Sequence, residues 1–187
     1  MLHSALSYTQ NLMRQAVRIG DTVIDATVGN GHDTLTLAHC VGDNGQVIGF
    51  DIQKSALDTT QKKLIEAKLD HRVTLYHKGH EELNDVLSPS QEVSLVVYNL
   101  GYLPHGDKSI VTLPETTIKS IEQALDHLKH CGLLLLMIYY GHEGGREEME
   151  AVTDYVKQLP QNKYSVLNYQ FINQKHSPPF MIAIEKR

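Results

Sequence analysis

Two short segments carry the residues whose chemistry is easiest to read. The first is Asp25-Ala-Thr-Val-Gly-Asn-Gly-His-Asp33, with Gly29 and Gly31 following an apolar run. Glycine lets the backbone turn sharply and approach a ligand with no Cβ in the way. Asp51, twenty residues after Gly31, closes the next apolar run. A carboxylate in that position can accept hydrogen bonds from a ribose diol. The pair predicts a site for a nucleoside-bearing cofactor. A dinucleotide site prefers a third glycine where this chain has Thr34, and no GxxxxGK is present. S-adenosylmethionine, which has no pyrophosphate to cradle, is the remaining common choice.

The second segment is Asn99-Leu-Gly-Tyr-Leu-Pro-His-Gly-Asp-Lys108. Asn99-Leu100-Gly101-Tyr102 resembles the [D/N]PP[Y/F] motif of methyltransferases that act on amino groups, with Leu-Gly replacing Pro-Pro. In that motif a side-chain amide oxygen and a backbone carbonyl aim a nitrogen lone pair at the methyl donor, and the aromatic ring covers the reaction site. Positioning of this kind supplies much of the rate. An alkylamine must also shed a proton before attack. Asp107 is a candidate for that task, with His142 or Tyr140 as alternates. Tyr139-Tyr-Gly-His-Glu-Gly-Gly145 reads as an aromatic lip suited to a flat substrate.

These residues must be positioned by strands and helices. A helical period over Leu6 to Ile19 comes first. Strands are then expected at Thr22 to Thr27, Gln46 to Asp51, Arg72 to Tyr76, Glu92 to Asn99 and Leu133 to Tyr140. Helices are expected between them at His32 to Cys40, Lys54 to Lys68, Glu81 to Leu87 and Pro114 to His130, then at Glu147 to Leu159. Ala56, Leu57, Leu64 and Ile65 form the expected buried stripe of the Lys54 helix. The final runs, Tyr164 to Ile172 and Phe180 to Glu185, have no helix between them and can pair antiparallel. The alternation predicts an α/β fold with a mostly parallel sheet and helices on both faces, and one domain over 1–187. Ligands in such folds bind beyond the carboxyl ends of the strands, where both chemical segments lie.

Composition excludes other classes. The chain has 187 residues, 17 Lys+Arg against 22 Asp+Glu, and a net charge of −5, so bulk charge does not drive nucleic-acid binding. No apolar run has bilayer length and no secretory leader is expected, which points to the cytoplasm. The two cysteines form no CxxC pair, and the eleven histidines lack metal-ligand spacing. The histidines are therefore expected at the surface or in loops, with no metal.

At this level the chain resembles the small class I methyltransferases grouped as rRNA methylases. Some members of that family complete 5-methylaminomethyl-2-thiouridine at the tRNA wobble position. The matching stretches are DATVGNGHDTLTLA from Asp25, GFDIQ from Gly49, GHEEL from Gly79, NLGYLPHGDKSIVT from Asn99, YYGHEGG from Tyr139 and FINQKHSPPF from Phe171. Thr27 stands where the wider fold has a glycine. The resemblance implies a Rossmann-like sheet of seven strands ordered 3-2-1-4-5-7-6, with strand 7 antiparallel. It implies S-adenosylmethionine as cofactor, held by Asp25, Gly29, Asn30, Gly31, Asp33, Asp51, Gln53, His80 and Glu81. Asn99, Tyr102, Asp107, Tyr140 and His142 then surround the acceptor. That acceptor would be 5-aminomethyl-2-thiouridine in a tRNA anticodon stem-loop, with a homodimer as one way to hold the stem. Arg14, Arg18, Lys108, Lys175, Lys186 and Arg187 are the candidates for a local basic stripe, and residue order does not say whether they share a face. An rRNA or small-amine acceptor, and a non-catalytic nucleotide-binding module, are the alternatives.

Overall fold

The computed structural model describes residues 1–103 and 110–187. Helix α1 (Ala5–Ala16) is capped by the Ser4 hydroxyl, which accepts the Ser7 amide. Six elements alternate after it: β1 (Thr22–Asp25), α2 (His32–Val41), β2 (Gln46–Phe50), α3 (Lys54–Glu66), β3 (Val73–Tyr76) and β4 (Val93–Leu100). A short 3-10 helix (His80–Asp85) lies between β3 and β4. Helix α4 (Pro114–His127), β5 (Leu128–Ile138), α5 (Gly145–Lys157), β6 (Tyr164–Tyr169) and β7 (Phe180–Lys186) complete the chain.

The strands form one sheet in the order β3-β2-β1-β4-β5-β7-β6. Pairings from β3 through β5 are parallel, and β7 runs antiparallel to both β5 and β6. This is the order the resemblance implies. Strand alternation sorts the core onto two faces. Ile24, Ile48, Val96, Tyr98, Leu134 and Leu136 pack with Ile121, Leu125 and Val152 of α4 and α5. Val23, Val47, Leu95, Val97 and Leu135 pack with Met13, Leu37 and Leu64 of α1, α2 and α3. Each fully buried side chain of this size contributes about 1.5–3 kcal/mol.

Several boundaries differ from the sequence expectation. Helix α4 ends at His127, where Leu128 turns extended. The chain then passes through Cys131 at φ +60°, and the β4–β5 register shifts between Val93 and Leu95. Lys186 Nζ donates to the Leu125 and Asp126 carbonyls at 2.9 and 3.3 Å, closing the end of α4. In α3, Ile65 is 56% exposed and Thr60 takes its expected place on the buried face. The histidine expectation also needs correction, because His80 and His127 are both buried. His127 lies within hydrogen-bonding distance of the Gln91 carbonyl (2.8 Å) and Asn84 Oδ1 (3.1 Å), which gives its ring polar partners inside the fold. No helix of the described residues is long and apolar enough to cross a membrane.

Candidate active site

The carboxyl ends of β1, β2, β3, β4 and β5 open onto a cleft of about 880 Å³. Small-molecule sites commonly hold roughly 300–1,000 Å³, so this cleft has room for a cofactor and a second group. Its walls come from the predicted loops, from Leu6 and Gln10 of α1, and from Ser177 and Pro179 before β7.

The first loop is shaped from both sides. Gly31 has φ +78°, and a Cβ there would lie 2.5 Å from Thr60 Oγ1. Only glycine meets both constraints. From α3, Thr60 Oγ1 donates to the Gly29 carbonyl (3.1 Å) and Lys63 Nζ to the Asn30 carbonyl (2.7 Å). The Gly29 N–H meanwhile donates to Asp51 Oδ2 at 2.8 Å, and the Gln53 N–H to Asp51 Oδ1 at 2.8 Å. Asp51 thus joins loops one and two and still lines the cleft. Each carboxylate oxygen keeps capacity to accept a further hydroxyl. Burial pushes the Asp51 carboxyl above its ordinary value, and the two amides work against that shift.

His80 lines the same half of the cleft, edge-on to the Tyr98 ring at 5.7 Å. It is 8% exposed, and desolvation lowers its pKa, which favours the neutral ring. Its Nε2 is buried with no hydrogen-bond partner among the described residues. A buried ring nitrogen, a glycine loop and a carboxylate at the end of β2 fit a nucleoside with polar edges. The residues present therefore suit S-adenosylmethionine.

At the end of β4, the Asn99 backbone N–H donates to Thr27 Oγ1 at 2.7 Å. That bond accounts for threonine at the first-glycine position, since a glycine there would leave the amide without this acceptor. The Asn99 side chain donates from Nδ2 to Asp33 Oδ2 at 2.8 Å. Because a carboxylate only accepts, this bond fixes the amide orientation and leaves Oδ1 as the open acceptor. Tyr102 and His142 meet edge-to-face with centroids 5.5 Å apart. The His142 Nε2 is buried and has no partner among the described residues. Leu6, Leu113 and Tyr139 add exposed apolar surface to this wall.

Gly29, Asn30, Asp33, Asp51, Gln53, His80 and Glu81 line the cleft, as do Asn99, Tyr102 and His142. Three expected residues do not line it. Asp25 is fully buried beneath the first loop, receiving Thr34 Oγ1 at 2.6 Å and the Thr27 N–H at 3.2 Å. Desolvation, and then the Asp33 carboxylate, push its pKa up to about 7. Gly31 is buried against Thr60. Tyr140 has the strand parity of Ile138, so it packs on Phe180 at 5.8 Å while Tyr139 reaches the cleft. Asp107 and Lys108 lie outside the described residues. Among the described residues no cluster of His, Cys, Asp or Glu is built to hold a metal ion.

The expected basic stripe is broken up by the topology. Glu185 pairs with Leu133, the first β5 residue of the β5–β7 pairing, so Lys186 and Arg187 lie at the end of the sheet opposite the cleft. Arg18 sits beside Asp21 at the amino end of β1, also at that far end, and Arg14 is in the last turn of α1. Only Lys175, in the loop that brings Ser177 to the cleft, is at the cleft end among the described members of the set. Lys54, Lys78 and Arg146, which follow the carboxyl ends of β2, β3 and β5, are basic residues at this end that the sequence reading missed. They are interspersed with Glu81, Glu143 and Glu147. Thr60, Thr112 and Glu148 are further residues it did not single out, and Thr27, read there only as a replaced glycine, receives the Asn99 amide.

A Rossmann-like sheet of this order, with a glycine loop, an acid at the end of β2 and an NLGY wall, defines a class I, S-adenosylmethionine-dependent methyltransferase. Within that class, the chain belongs to the family described as "Putative rRNA methylase", whose model matches residues 47–185. The crystal structure of the Clostridium thermocellum protein of that description superposes with a TM-score of 0.97 at 43% identity, covering 100% of both chains. A Streptococcus mutans relative, solved in complex with SAH, gives a TM-score of 0.91 at 35% identity, again over 100% of both chains. The chain is also 38% identical, over 180 residues, to the chloroplastic tRNA (mnm(5)s(2)U34)-methyltransferase of Arabidopsis thaliana. That match takes in 92% of this chain and 66% of the plant protein, just under two thirds of its length.

Proposed function

We propose that this protein transfers a methyl group from S-adenosylmethionine to the amino group of 5-aminomethyl-2-thiouridine at the wobble position of tRNA. The observation that carries the reading is the Asn99–Asp33 hydrogen bond, which holds Asn99 Oδ1 free to accept an amine N–H. The name of the Arabidopsis relative supports the same acceptor.

Gly29, Asn30, Asp51, Gln53, His80 and Glu81 would hold the cofactor, which supplies a methyl group activated by positive sulfur. Asn99 Oδ1 and the adjacent Asp33 carboxylate orient the acceptor nitrogen, and the acid favours a cationic amine before its proton leaves. Tyr102, Tyr139 and Leu113 give the flat base an apolar and aromatic wall. His142 is the group best suited to take the proton among the described residues. With its Nδ1–H directed at the Glu143 carbonyl, 3.2 Å away, Nε2 carries the lone pair. Asp107 is the alternate.

A flipped-out base needs stacking and edge contacts more than a broad basic face. The scattered Lys54, Lys78, Arg146 and Lys175 suit that mode better than a continuous stripe would. One domain over 1–187, a cytoplasmic site of action and a homodimer that grips the stem belong to the same reading. Nucleoside mass spectrometry of a strain lacking the gene tests it. The strain is expected to accumulate the aminomethyl nucleoside and lose its methylated form; unchanged wobble uridine with an altered rRNA nucleotide would move the assignment to rRNA.

A further inference from the structure

Helix α5 presents Gly145, Glu148, Val152 and Val156 to the interior. A carboxylate at one position of an otherwise apolar stripe calls for a reason, because burying one costs several kcal/mol unless donors meet it. Glu148 is 2% exposed, and both its oxygens are met. Thr112 Oγ1 donates to Oε2 at 2.6 Å and Thr117 Oγ1 donates to Oε1 at 2.7 Å. The Thr112 hydroxyl in turn accepts the Gly101 N–H at 2.9 Å, and the Thr112 N–H donates to the Gly101 carbonyl at 3.0 Å. A bridge between Tyr102 and Val111 continues the same pairing.

The geometry points to Glu148 as a positioning residue for the acceptor wall, acting through Thr112 on Gly101 and its neighbour Tyr102. The clamp ties together the segment leaving β4, the start of α4 and the start of α5. Those are the elements that carry Tyr102 and His142 to their edge-to-face contact. Gly101 adds a second constraint. Its φ is +148° and a Cβ there would stand 3.1 Å from Tyr139 Cβ, so glycine lets the segment leaving β4 lie against Tyr139. None of these bonds reaches the segments that follow β1, β2 or β3, so the clamp sets acceptor geometry separately from the cofactor half. Burial pushes the Glu148 carboxyl above its ordinary range, and the two threonine hydroxyls oppose that. The inference rests on the reading that the acceptor lies against Tyr102 and His142.

The test uses T112V, which keeps shape and removes the hydroxyl, alongside T112S and E148Q. Calorimetry would follow cofactor affinity, single turnover on an aminomethyl stem-loop would follow transfer, and proton NMR would follow the His142 ring signal beside Tyr102. T112V is expected to slow transfer roughly tenfold to a hundredfold, the scale of a misplacement near 1 Å, with S-adenosylmethionine affinity within twofold. The His142 resonance should move in T112V and return in T112S, with E148Q between them. An unmoved resonance, or transfer and cofactor affinity falling together, would overturn the positioning role. The NMR arm needs no acceptor. An inactive wild-type enzyme with a His142 signal that responds to T112V would reject the acceptor class and keep the clamp.

Discussion

The two halves of the cleft are held by different means. On the cofactor side, backbone groups do most of the holding: Gly29 and Gln53 amides meet Asp51, and the Gly29 and Asn30 carbonyls meet Thr60 and Lys63. On the acceptor side, side chains hold side chains and one another's amides, through Asn99 to Asp33 and Glu148 to Thr112 and Thr117. A backbone-built half binds a part common to every turnover. A half set by side chains can be retuned by single substitutions, which is where selectivity for one acceptor belongs. The two halves meet at Asp33, which lines the cleft and orients Asn99.

Substitution should separate them. The largest effect is expected from Asn99→Ala, which removes the amide oxygen but leaves its backbone bond to Thr27. Transfer should fall on the order of a hundredfold to a thousandfold, comparable with losing one transition-state donor or acceptor. Cofactor affinity by calorimetry should stay within threefold. Full turnover would remove Asn99 from the mechanism. Asp51→Ala should act in the opposite way, weakening cofactor binding by roughly tenfold to a hundredfold, as charge-assisted bonds to two amides and a diol are lost. Its turnover at saturating cofactor should change far less. Comparable losses in both quantities for both variants would erase the distinction between the halves.

The cofactor side was the more legible in sequence, for a physical reason. Its glycines and Asp51 are required by backbone geometry and by position at strand ends, and both leave marks in residue order. The strand count, the parallel sheet and the final antiparallel pair were legible too, from helix–strand alternation and the helix-free end of the chain, while the strand order followed from the family resemblance. The acceptor side was read in part. Asn99 and His142 stood out, yet Tyr140 was preferred to Tyr139 because a strand covered on both faces gives no polar alternation to tell its sides apart. Thr60, Thr112 and Thr117 were invisible, since a threonine on a helix face or in a loop carries no mark of the carbonyl or carboxylate it will meet. Glu148 did leave a mark, as a charge four and eight residues before Val152 and Val156. The basic stripe failed because its members come from both ends of the strands: Arg18 precedes β1, and Lys186 ends the antiparallel β7, so both lie opposite the cleft.

Two smaller effects sharpen the cofactor side. Gly31→Ala should destabilise the fold by about 1–3 kcal/mol, from left-handed backbone strain and contact with Thr60. Pairing it with Thr60→Ala should recover only the contact part in urea unfolding. Asp25 predicts a pH dependence of stability. Its folded pKa is raised from 3.8 to about 7. Its stabilising contribution is therefore fully present below about pH 4 and is lost as pH rises through about 7. Asp25→Asn should flatten that part of the stability profile between pH 4 and 8. An unchanged slope would mean that Asp25 does not titrate in this window.

In the proposed reaction the Asn99–Asp33 pair presents an oxygen acceptor to an amine on a wobble uridine. Its most direct test is methyl transfer from labelled S-adenosylmethionine to paired anticodon stem-loops, one carrying 5-aminomethyl-2-thiouridine and one carrying 2-thiouridine without the aminomethyl group. Transfer is expected to the first, with the label on the side-chain nitrogen, and none to the second. Equal labelling of both, or label on a ring atom, would contradict it.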